Sequence, residues 1–440
     1  MTYIPNIIFT SLLIFSIWFF RRNVLLLKRN ILLGRDIDRS DQKKKRWLKM
    51  LRVSVGQSKM INRPIAGIFH VVIYAGFIIM NIELLEIITD GILGTHRVFA
   101  SSLGSFYSFI ISVFEIFAAL IILAVVVFWA RRNILKLKRF LKPEMGGWPK
   151  KDANLILYFE LILMTLFLLM NVTDSLLQNA DYPGYIKAGA FPVSSFLIPL
   201  FDSFNVESLF ILERIFWWSH IIGIFIFLNY LYYSKHLHII LAFPNTYFSN
   251  LKPNGYMKNN ELVTREVKLM LDPNANQYES NSPGEITDKF GASDANDLTW
   301  IQLLNAYTCT ECGRCTAECP ANQTGKKLSP RKIMMDTRDR IEEIGRNING
   351  KGKINNDGKQ LIGDYISHEE IWACTSCNAC VEACPIDIDP LSIIMDLRQY
   401  LVMENSAAPN DLNNMIGNIE NNGAPWPFSN QDRVLWAKEN

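Results

Sequence analysis

Five long apolar segments occupy the first 240 residues of this 440-residue chain. They are residues 4–20, 64–88, 105–129, 154–177 and 208–240. A helix needs about 20 apolar residues to cross a bilayer, with about 17 as the lower limit. The hydrocarbon core offers backbone polar groups no water, so such segments cross it as helices, which satisfy their own hydrogen bonds. The pattern predicts an all-α fold that begins with a five-helix transmembrane bundle.

The loops between these segments alternate in basic charge. Loops 21–63 and 130–153 carry 14 and eight Lys and Arg residues, whereas loops 89–104 and 178–207 carry one each. The positive-inside rule then places the N-terminus outside and everything after the fifth segment in the cytoplasm, as a multi-pass protein of the inner (cytoplasmic) membrane. Because the first segment is followed, not preceded, by its positive charges, we expect a retained helix instead of a signal peptide. The net charge of +3 is too small to indicate a nucleic acid partner.

All eight cysteines lie in two runs with the spacing C-x2-C-x2-C-x3-C-P. The runs are Cys309, Cys312, Cys315 and Cys319, and Cys374, Cys377, Cys380 and Cys384. Bacterial two-cluster ferredoxins have this spacing, and the fourth cysteine of each run binds the other cluster. The spacing therefore predicts two [4Fe–4S] clusters with crossed ligation. We assign Cys309, Cys312, Cys315 and Cys384 to cluster 1, and Cys374, Cys377, Cys380 and Cys319 to cluster 2.

Zinc and disulfides are the alternatives to iron–sulfur ligation for these cysteines. A tetrahedral zinc site uses two pairs of ligands, which these evenly spaced runs do not supply. Disulfides are not expected in a reducing cytoplasm.

Helical apolar spacing in 328–345, with Ser329 and Pro330 as a start signal, and in 391–403 predicts a helical two-[4Fe–4S] ferredoxin domain. The predicted division is a membrane domain at 1–245, a linker at 246–298, the ferredoxin domain at 299–404 and a tail at 405–440.

Five of the six histidines lie in or beside the apolar half of the chain. They are His70, His96, His220, His236 and His238. Histidine in a membrane helix is costly and indicates a partner or a function. His70 and His238 fall at matching depth on the second and fifth segments, which predicts that they bind one haem b. The small residues Gly67 and Gly76 are expected to let a flat macrocycle approach.

A second haem b would use His220, which lies 18 residues before His238. On one continuous helix this spacing is five turns, so both side chains would point the same way, about 27 Å apart. The partner of His220 is left open between His96, which lies in an outer loop, and Met80. Some of these histidines would otherwise be core or interfacial residues, and for His236 we favour that interpretation.

Ionisable residues at membrane depth are candidates for a quinone site. They are Glu83, Glu86, Glu115, Glu160, Asp174, Glu213 and Arg214. A bound quinone needs neighbours that exchange protons with it. The alternative is that these residues pair helices or lie at the interface.

At these motifs the chain resembles two known families. The five-helix part, through His70, His220 and His238, resembles the gamma subunit of respiratory nitrate reductase, a dihaem cytochrome b that oxidises quinol. That family's pattern would have a histidine at Met80. The cysteine runs, together with LSPRKIM and CPIDIDPLSIIMDLRQYLV, resemble the iron–sulfur domain of heterodisulfide reductase. KHLHIILAFPN at 235–245 is similar to membrane-bound iron–sulfur oxidoreductases that link a cytoplasmic redox partner to menaquinone.

These resemblances imply an oxidoreductase subunit that passes electrons between a cytoplasmic partner, two clusters, haem b and quinone. The expected partner is a CCG-domain iron–sulfur protein or an electron-transfer flavoprotein. The alternative is a membrane ferredoxin that supplies electrons for the assembly or maturation of metal centres, without quinone chemistry. The tail GAPWPFSNQDRVLWAKEN at 423–440 resembles the lead-in to CCG domains. We expect these domains on a separate subunit that docks on the tail, unless the tail packs back on the ferredoxin domain.

Overall fold

The computed structural model describes residues 3–257, 259, 261–272, 289–348 and 352–438. Within these ranges every regular element is a helix, and β pairing is limited to isolated bridges. The prediction of an all-α protein is therefore confirmed. Of the predicted linker, positions 258, 260 and 273–288 lie outside the described residues.

Five helices of the first half are long and apolar enough to cross a membrane. The helices of this half are α1 (Ile4–Ile31), α2 (Lys43–Met50), α3 (Pro64–Leu93), α4 (Ala100–Leu103), α5 (Ser105–Asn133), α6 (Trp148–Asn179), α7 (Val206–Tyr230) and α8 (His238–Phe248). The membrane candidates are α1, α3, α5, α6 and α7, the last extended by one turn to Tyr233. The prediction of a five-helix membrane part is confirmed.

Small residues let the membrane helices approach closely. A Cβ added to Gly76 of α3 would lie 2.7 Å from Ile121 Cδ1 of α5, and one added to Gly223 of α7 would lie 2.8 Å from Leu163 Cδ2 of α6. At Gly67 the added atom would lie 2.7 Å from the carbonyl oxygen of Met60. Gly67 and Gly76 thus allow close packing of protein atoms, and their predicted role of making room for a macrocycle stays a prediction.

The fifth apolar segment, predicted as one helix over 208–240, is broken in the structure. α7 ends at Tyr230, Ser234 has extended backbone, and α8 begins at His238. Asp152 of α6 holds the break, because its carboxylate accepts hydrogen bonds from Tyr230 Oη (2.5 Å) and the Lys235 backbone nitrogen (3.2 Å). The five-turn relation between His220 and His238 is therefore wrong: the two lie on different helices.

The cysteine-bearing half is built from short helices. They are α9 (Glu261–Leu271), α10 (Trp300–Thr308), α11 (Arg314–Glu318), α12 (Pro320–Gln323), α13 (Pro330–Arg346), α14 (His368–Trp372), α15 (Ala379–Ala383), α16 (Pro390–Met403) and α17 (Asn410–Asn422). Local signals fix their starts. Ser329 accepts a hydrogen bond from the Lys332 backbone nitrogen and Pro330 lies in the first turn, which confirms the predicted start of α13.

The two halves share one hydrophobic core. Leu27 of α1 and Leu241 of α8 belong to the same buried cluster as Leu304 of α10 and Ile333 of α13. The end of the helix bundle that packs on the cysteine-bearing half is called here the near end, and the opposite end the far end. α1 runs beyond its predicted end at residue 20 because its last turns are buried in this shared core.

Candidate functional site

Both cysteine runs fold with the same local backbone. The residue two positions after the first cysteine has positive φ in each run, Glu311 at +55° and Ser376 at +56°. Two residues further on, Gly313 (+72°) and Asn378 (+61°) also have positive φ. Left-handed backbone costs a non-glycine residue about 1–2 kcal/mol, so its repetition at matching positions indicates a required loop shape. This shape turns three cysteines of each run towards one place.

The first cysteine site lies around a small cavity of about 20 Å³. Its lining includes Cys309, Cys312, Cys315 and Cys384, and also Cys380. The structure thus brings together the four cysteines assigned to cluster 1, including the one from the other run. Within the described part of the chain, no three His, Cys, Asp or Glu side chains converge on a position for a single metal ion.

The second set of cysteines is also close together. Cys380 lies within electrostatic range of Cys374 and Cys319, and Cys374 within range of Cys319 and Cys377. Cys377 is exposed, whereas Cys319 and Cys380 are buried. The crossed neighbour, Cys319 of the first run, is therefore among the cysteines of the second.

The burial of the thiols determines what these sites require. Burial raises the pKa of Cys309 to about 11 and that of Cys380 to about 12. Thiolates this deeply buried need cationic neighbours, and iron supplies them when thiolates ligate a cluster. The sulfur donors and their burial therefore fit an iron–sulfur cluster.

At the near end of the bundle, His70 of α3 and His238 of α8 face each other. Their ring centroids are 6.4 Å apart, with 40° between the ring planes. With metal–nitrogen bonds of about 2 Å, two imidazoles at this spacing fit as ligands of one metal ion. His238 Nδ1 donates a hydrogen bond to the Lys235 carbonyl (3.0 Å), which fixes the tautomer and leaves the lone pair of Nε2 available to a metal. His70 Nδ1 is buried without a hydrogen-bond partner.

His220 lines a second, mostly apolar cavity of about 130 Å³ between α3, α5, α6 and α7, called here the central cavity. Its Nδ1 donates a hydrogen bond to the Leu163 carbonyl (3.0 Å), so the lone pair of Nε2 is again available to a metal. Met80 lines the same cavity.

His96, the other candidate partner of His220, is placed elsewhere. Its Nε2 is 3.0 Å from Asp174 Oδ1, and its Nδ1 accepts a long hydrogen bond (3.4 Å) from the Ile186 backbone nitrogen. Its ring lies against Tyr185, with centroids 4.6 Å apart. The structure brings Met80, and not His96, to the cavity of His220.

The third feature is a polar cavity of about 160 Å³ at the far end. Its lining includes five of the predicted ionisable residues: Glu83, Glu86, Asp174, Glu213 and Arg214. Glu160 lines the central cavity instead. Glu115 lines neither of these two cavities and is satisfied by Asn171 (3.1 Å), the backbone nitrogen of Val193 (2.8 Å) and Ser194. For Glu115 the alternative interpretation, pairing between helices, is the better one.

Sequence reasoning missed Arg97 as a residue of this far-end site. Its guanidinium is buried, bonded to Asp174 (2.6 Å), Asn171 (3.1 Å) and Tyr107 (3.1 Å). The available signal was that Arg97 is the single basic residue of a loop next to several membrane carboxylates. Glu83 differs from these bonded groups, because its buried Oε2 has no hydrogen-bond partner and it lines both the far-end and the central cavity.

Comparison with known proteins identifies the class of the cysteine-bearing half. Residues 308–388 match the family described as "4Fe-4S dicluster domain". With the five apolar helices, this defines a multi-pass membrane protein that carries a 4Fe–4S dicluster domain.

The relatives are oxidoreductases with iron–sulfur centres. The probable iron-sulfur-binding oxidoreductase FadF of Bacillus subtilis is 29% identical over 91% of this chain and 56% of its own length. The EtfAB:quinone oxidoreductase of Syntrophomonas wolfei is 25% identical over 99% of this chain and 59% of its own length. A probable membrane-anchored ferredoxin of Chromohalobacter salexigens is 32% identical over 34% of this chain and 24% of its own length. The chain thus spans less than two thirds of the length of the first two relatives.

Heterodisulfide reductase subunits of Methanosarcina also match parts of the chain, which confirms the resemblance of the cysteine runs to that family. The prediction of an iron–sulfur oxidoreductase subunit is confirmed at the level of these relatives. No solved structure matches the chain.

Proposed function

We propose that this protein is the membrane electron-transfer subunit of a quinone-linked oxidoreductase. In this proposal the clusters exchange electrons with a soluble partner, and haem b and quinone lie at successive depths in the membrane domain. The observation that carries it is the link through Lys235 between the paired imidazoles of His70 and His238 and the first cysteine loop. The Lys235 carbonyl accepts the hydrogen bond of His238, and the Lys235 ammonium pairs with Glu311, which lies between Cys309 and Cys312. This link supports electron transfer between two metal centres.

The chain's residues would hold the cofactors as follows. Cluster 1 is held by Cys309, Cys312, Cys315 and Cys384, and cluster 2 by Cys374, Cys377, Cys380 and Cys319. The near-end haem is held by His70 and His238. When bound, the clusters and haem carry single electrons, while the protein determines their position and surroundings.

A second haem would use His220 and Met80, which line the central cavity together. The hydrogen bond from His220 to the Leu163 carbonyl orients the imidazole and fixes its tautomer, as is usual for metal-binding histidines. His96 is left out of this site because Asp174 and Ile186 already engage both of its nitrogens.

The quinone is proposed to react at the far-end cavity. Quinone reduction takes up protons, and this cavity combines carboxylates with His96 and the indole rings of Trp217 and Trp218. Glu83 is the candidate proton carrier, because its buried Oε2 has no hydrogen-bond partner and the residue lines both cavities. The near end, with the basic loops, is then cytoplasmic, and the far end faces outside.

The proposed partner is an electron-transfer flavoprotein, as the name of the Syntrophomonas wolfei relative suggests. The tail is the proposed docking segment. Trp436 is 77% exposed and Phe428 is 66% exposed, so neither side chain packs back on the ferredoxin domain. Deletion of 421–440 should leave the clusters intact and abolish co-purification of the partner. Loss of the clusters on deletion would instead assign the tail a structural role.

Stopped-flow spectroscopy on the anaerobic protein tests the function. A menaquinone analogue added to the dithionite-reduced protein should oxidise the haem first and the clusters afterwards. Each step is followed by the change in the absorption of that cofactor. If neither absorption changes, the protein does not react with quinone.

A second candidate function is that of a membrane ferredoxin, the class named for the Chromohalobacter salexigens relative. In this case we propose that the protein supplies electrons for metal-centre assembly. Such a protein needs both clusters but no haem. A pyridine haemochrome assay on the purified chain separates the two functions.

A further inference from the structure

One short segment, residues 235–245, contacts both halves of the first cysteine site. At its start, the Lys235 ammonium pairs with the Glu311 carboxylate. Glu311 lies between Cys309 and Cys312, at the position with positive φ. The pair is buried, with side-chain exposures of 7% for Lys235 and 3% for Glu311.

At its other end, the segment holds the loop that follows Cys384. Asn245 Nδ2 donates a hydrogen bond to the Ile386 carbonyl (2.7 Å), and its Oδ1 accepts one from Asn305 Nδ2 (2.9 Å). In the same loop the Ile388 backbone nitrogen donates to Cys384 Sγ (3.3 Å). The segment therefore contacts the loop of the first three cysteines and also the loop of the crossed fourth one.

The same segment carries His238. Lys235 accepts the hydrogen bond from His238 Nδ1 on its carbonyl oxygen (3.0 Å), while its side chain reaches Glu311. One residue thus orients the imidazole and contacts the cysteine loop. No comparable bond from residues 235–245 to Cys374, Cys377 or the residues between them occurs among the described contacts.

Two further charged residues lie beside the Lys235–Glu311 pair. Arg338 Nη1 is 2.9 Å from the second oxygen of Glu311, and Asp152 Oδ2 is 3.7 Å from Lys235 Nζ. Lys235 Nζ also donates to the Pro149 carbonyl (2.8 Å). Each charge has an opposite partner, so removal of one leaves an unbalanced charge beside the cysteine loop in a region of low dielectric.

We propose that Lys235 and Glu311 are a positioning pair that fixes the loop of cluster 1 against His238 and adjusts its reduction potential, making cluster 1 the direct electron partner of the near-end haem. This inference rests on the proposed function. The step moves one electron between the site of Cys309, Cys312, Cys315 and Cys384 and the site of His70 and His238. One site is oxidised as the other is reduced, and no bond forms or breaks.

The test is a potentiometric titration of the complete anaerobic protein, followed by electron paramagnetic resonance. Glu311→Gln should raise the midpoint potential of cluster 1, because it removes a negative charge and leaves Lys235 and Arg338 unbalanced. Lys235→Met should lower it, and the double variant should return it towards the wild-type value. Cluster 2 should stay unchanged in all three. The signals are assigned with Cys384→Ser, which removes a ligand of cluster 1.

A matched control exists in the same domain. Lys359 Nζ pairs with Glu343 Oε1 (2.6 Å) outside both cysteine loops, so Glu343→Gln and Lys359→Met make the same chemical changes away from the junction. Neither should move either cluster potential. Lys235→Arg, which keeps the charge, should preserve the cluster 1 potential. If the Glu311→Gln protein fails to assemble its clusters, the comparison of Lys235→Arg with Lys235→Met tests the pair instead.

Failure of the proposed function and failure of this inference give different results. A wild-type protein that lacks the haem or a cluster overturns the proposed function, and this inference with it. If the wild type holds both but the cluster 1 potential is unmoved in Lys235→Met, the inference alone is wrong. Equal shifts of cluster 1 and cluster 2 would also overturn it, because the pair would then act on the domain as a whole.

Discussion

The two cysteine runs have the same spacing and the same backbone shape, yet they lie in different surroundings. The first run is buried against the membrane half, where Glu311 pairs with Lys235 and Arg314 Nη1 donates to the Lys59 carbonyl (3.2 Å). The second run includes the exposed Cys377. Spacing thus determines which cofactor a run can hold, and the surroundings determine what that cofactor can reach. Under the proposed function, this difference would place cluster 1 on the membrane side of the electron path and cluster 2 on the side of the soluble partner.

The largest expected effect comes from replacing the fourth cysteine of either run with serine. Under crossed ligation, Cys384→Ser should damage cluster 1, the cluster of the first run, and Cys319→Ser should damage cluster 2. Iron analysis should fall from about eight to about four cluster irons per chain in either variant. Electron paramagnetic resonance identifies which cluster survives. Loss of the second run's cluster in Cys384→Ser would show that each run binds its own cluster.

The next effect concerns the histidines of the membrane half. His70→Ala and His238→Ala should remove the same haem, since both side chains would bind one iron. His220→Ala should remove a different one. His236→Ala is the matched control: its ring is 5.6 Å from that of His238 at 89°, and its Nε2 is 3.7 Å from Glu160, so haem content should be retained. Visible spectra of the purified variants measure this. Equal loss of one haem in all three ligand variants would leave a single site.

A smaller effect is expected from the contact that docks the first run on the membrane half. Arg331 is fully buried and its Nη2 lies 2.7 Å from Glu144 Oε1. Glu144→Ala leaves this charge unpaired and should destabilise the protein by about 3 kcal/mol. The midpoint of thermal unfolding in detergent should fall accordingly. The exposed pair Lys327–Glu369 is the control, and Lys327→Ala should leave the midpoint nearly unchanged. Equal shifts of the unfolding midpoint in Glu144→Ala and Lys327→Ala would contradict a stabilising role for the Arg331–Glu144 contact.

The same contact predicts a pH dependence. Burial would raise the pKa of Glu144, but hydrogen bonds from Arg331 and Ser329 outweigh it and hold the pKa below its ordinary value. A carboxyl group with a lowered folded-state pKa stabilises the fold above its unfolded pKa, and this contribution is lost as pH falls towards the folded value. Wild-type stability should therefore decline below about pH 4.5, and part of that decline should be absent in Glu144→Ala. An unaltered pH profile in the variant would contradict the assignment.

The smallest effects compare equivalent positions of the two runs. A Cβ added to Gly313 would lie 2.5 Å from Arg331 Nη1, whereas Asn378 already occupies the matching position of the second run. Gly313→Asn should destabilise the protein by at least about 1 kcal/mol, because the loop is packed against the docking contact. Asn378→Gly should stay within about 0.5 kcal/mol of the wild type. Similar values for the two would show that the runs have equivalent surroundings.

The sequence predicted those features that depend on local pattern. Apolar length identified the membrane helices, and Ser329 with Pro330 identified the start of α13. The break between Tyr230 and His238 was not predictable, since the apolar run is continuous and the hydrogen bonds that hold the break come from Asp152, 78 residues or more away in sequence. His96 could not be separated from Met80 for a similar reason: its bond to Asp174 depends on how the loop folds onto α6.

The most direct test of the central claim is a pyridine haemochrome and iron analysis of the anaerobically purified chain, wild type beside His70→Ala. The account predicts about eight cluster irons per chain in both proteins, with haem b in the wild type and less haem in the variant. A wild-type protein that holds both clusters but shows no haem absorption in a haem-sufficient host would contradict it. The chain would then be a membrane ferredoxin, and the opposed imidazoles of His70 and His238 would have a structural role.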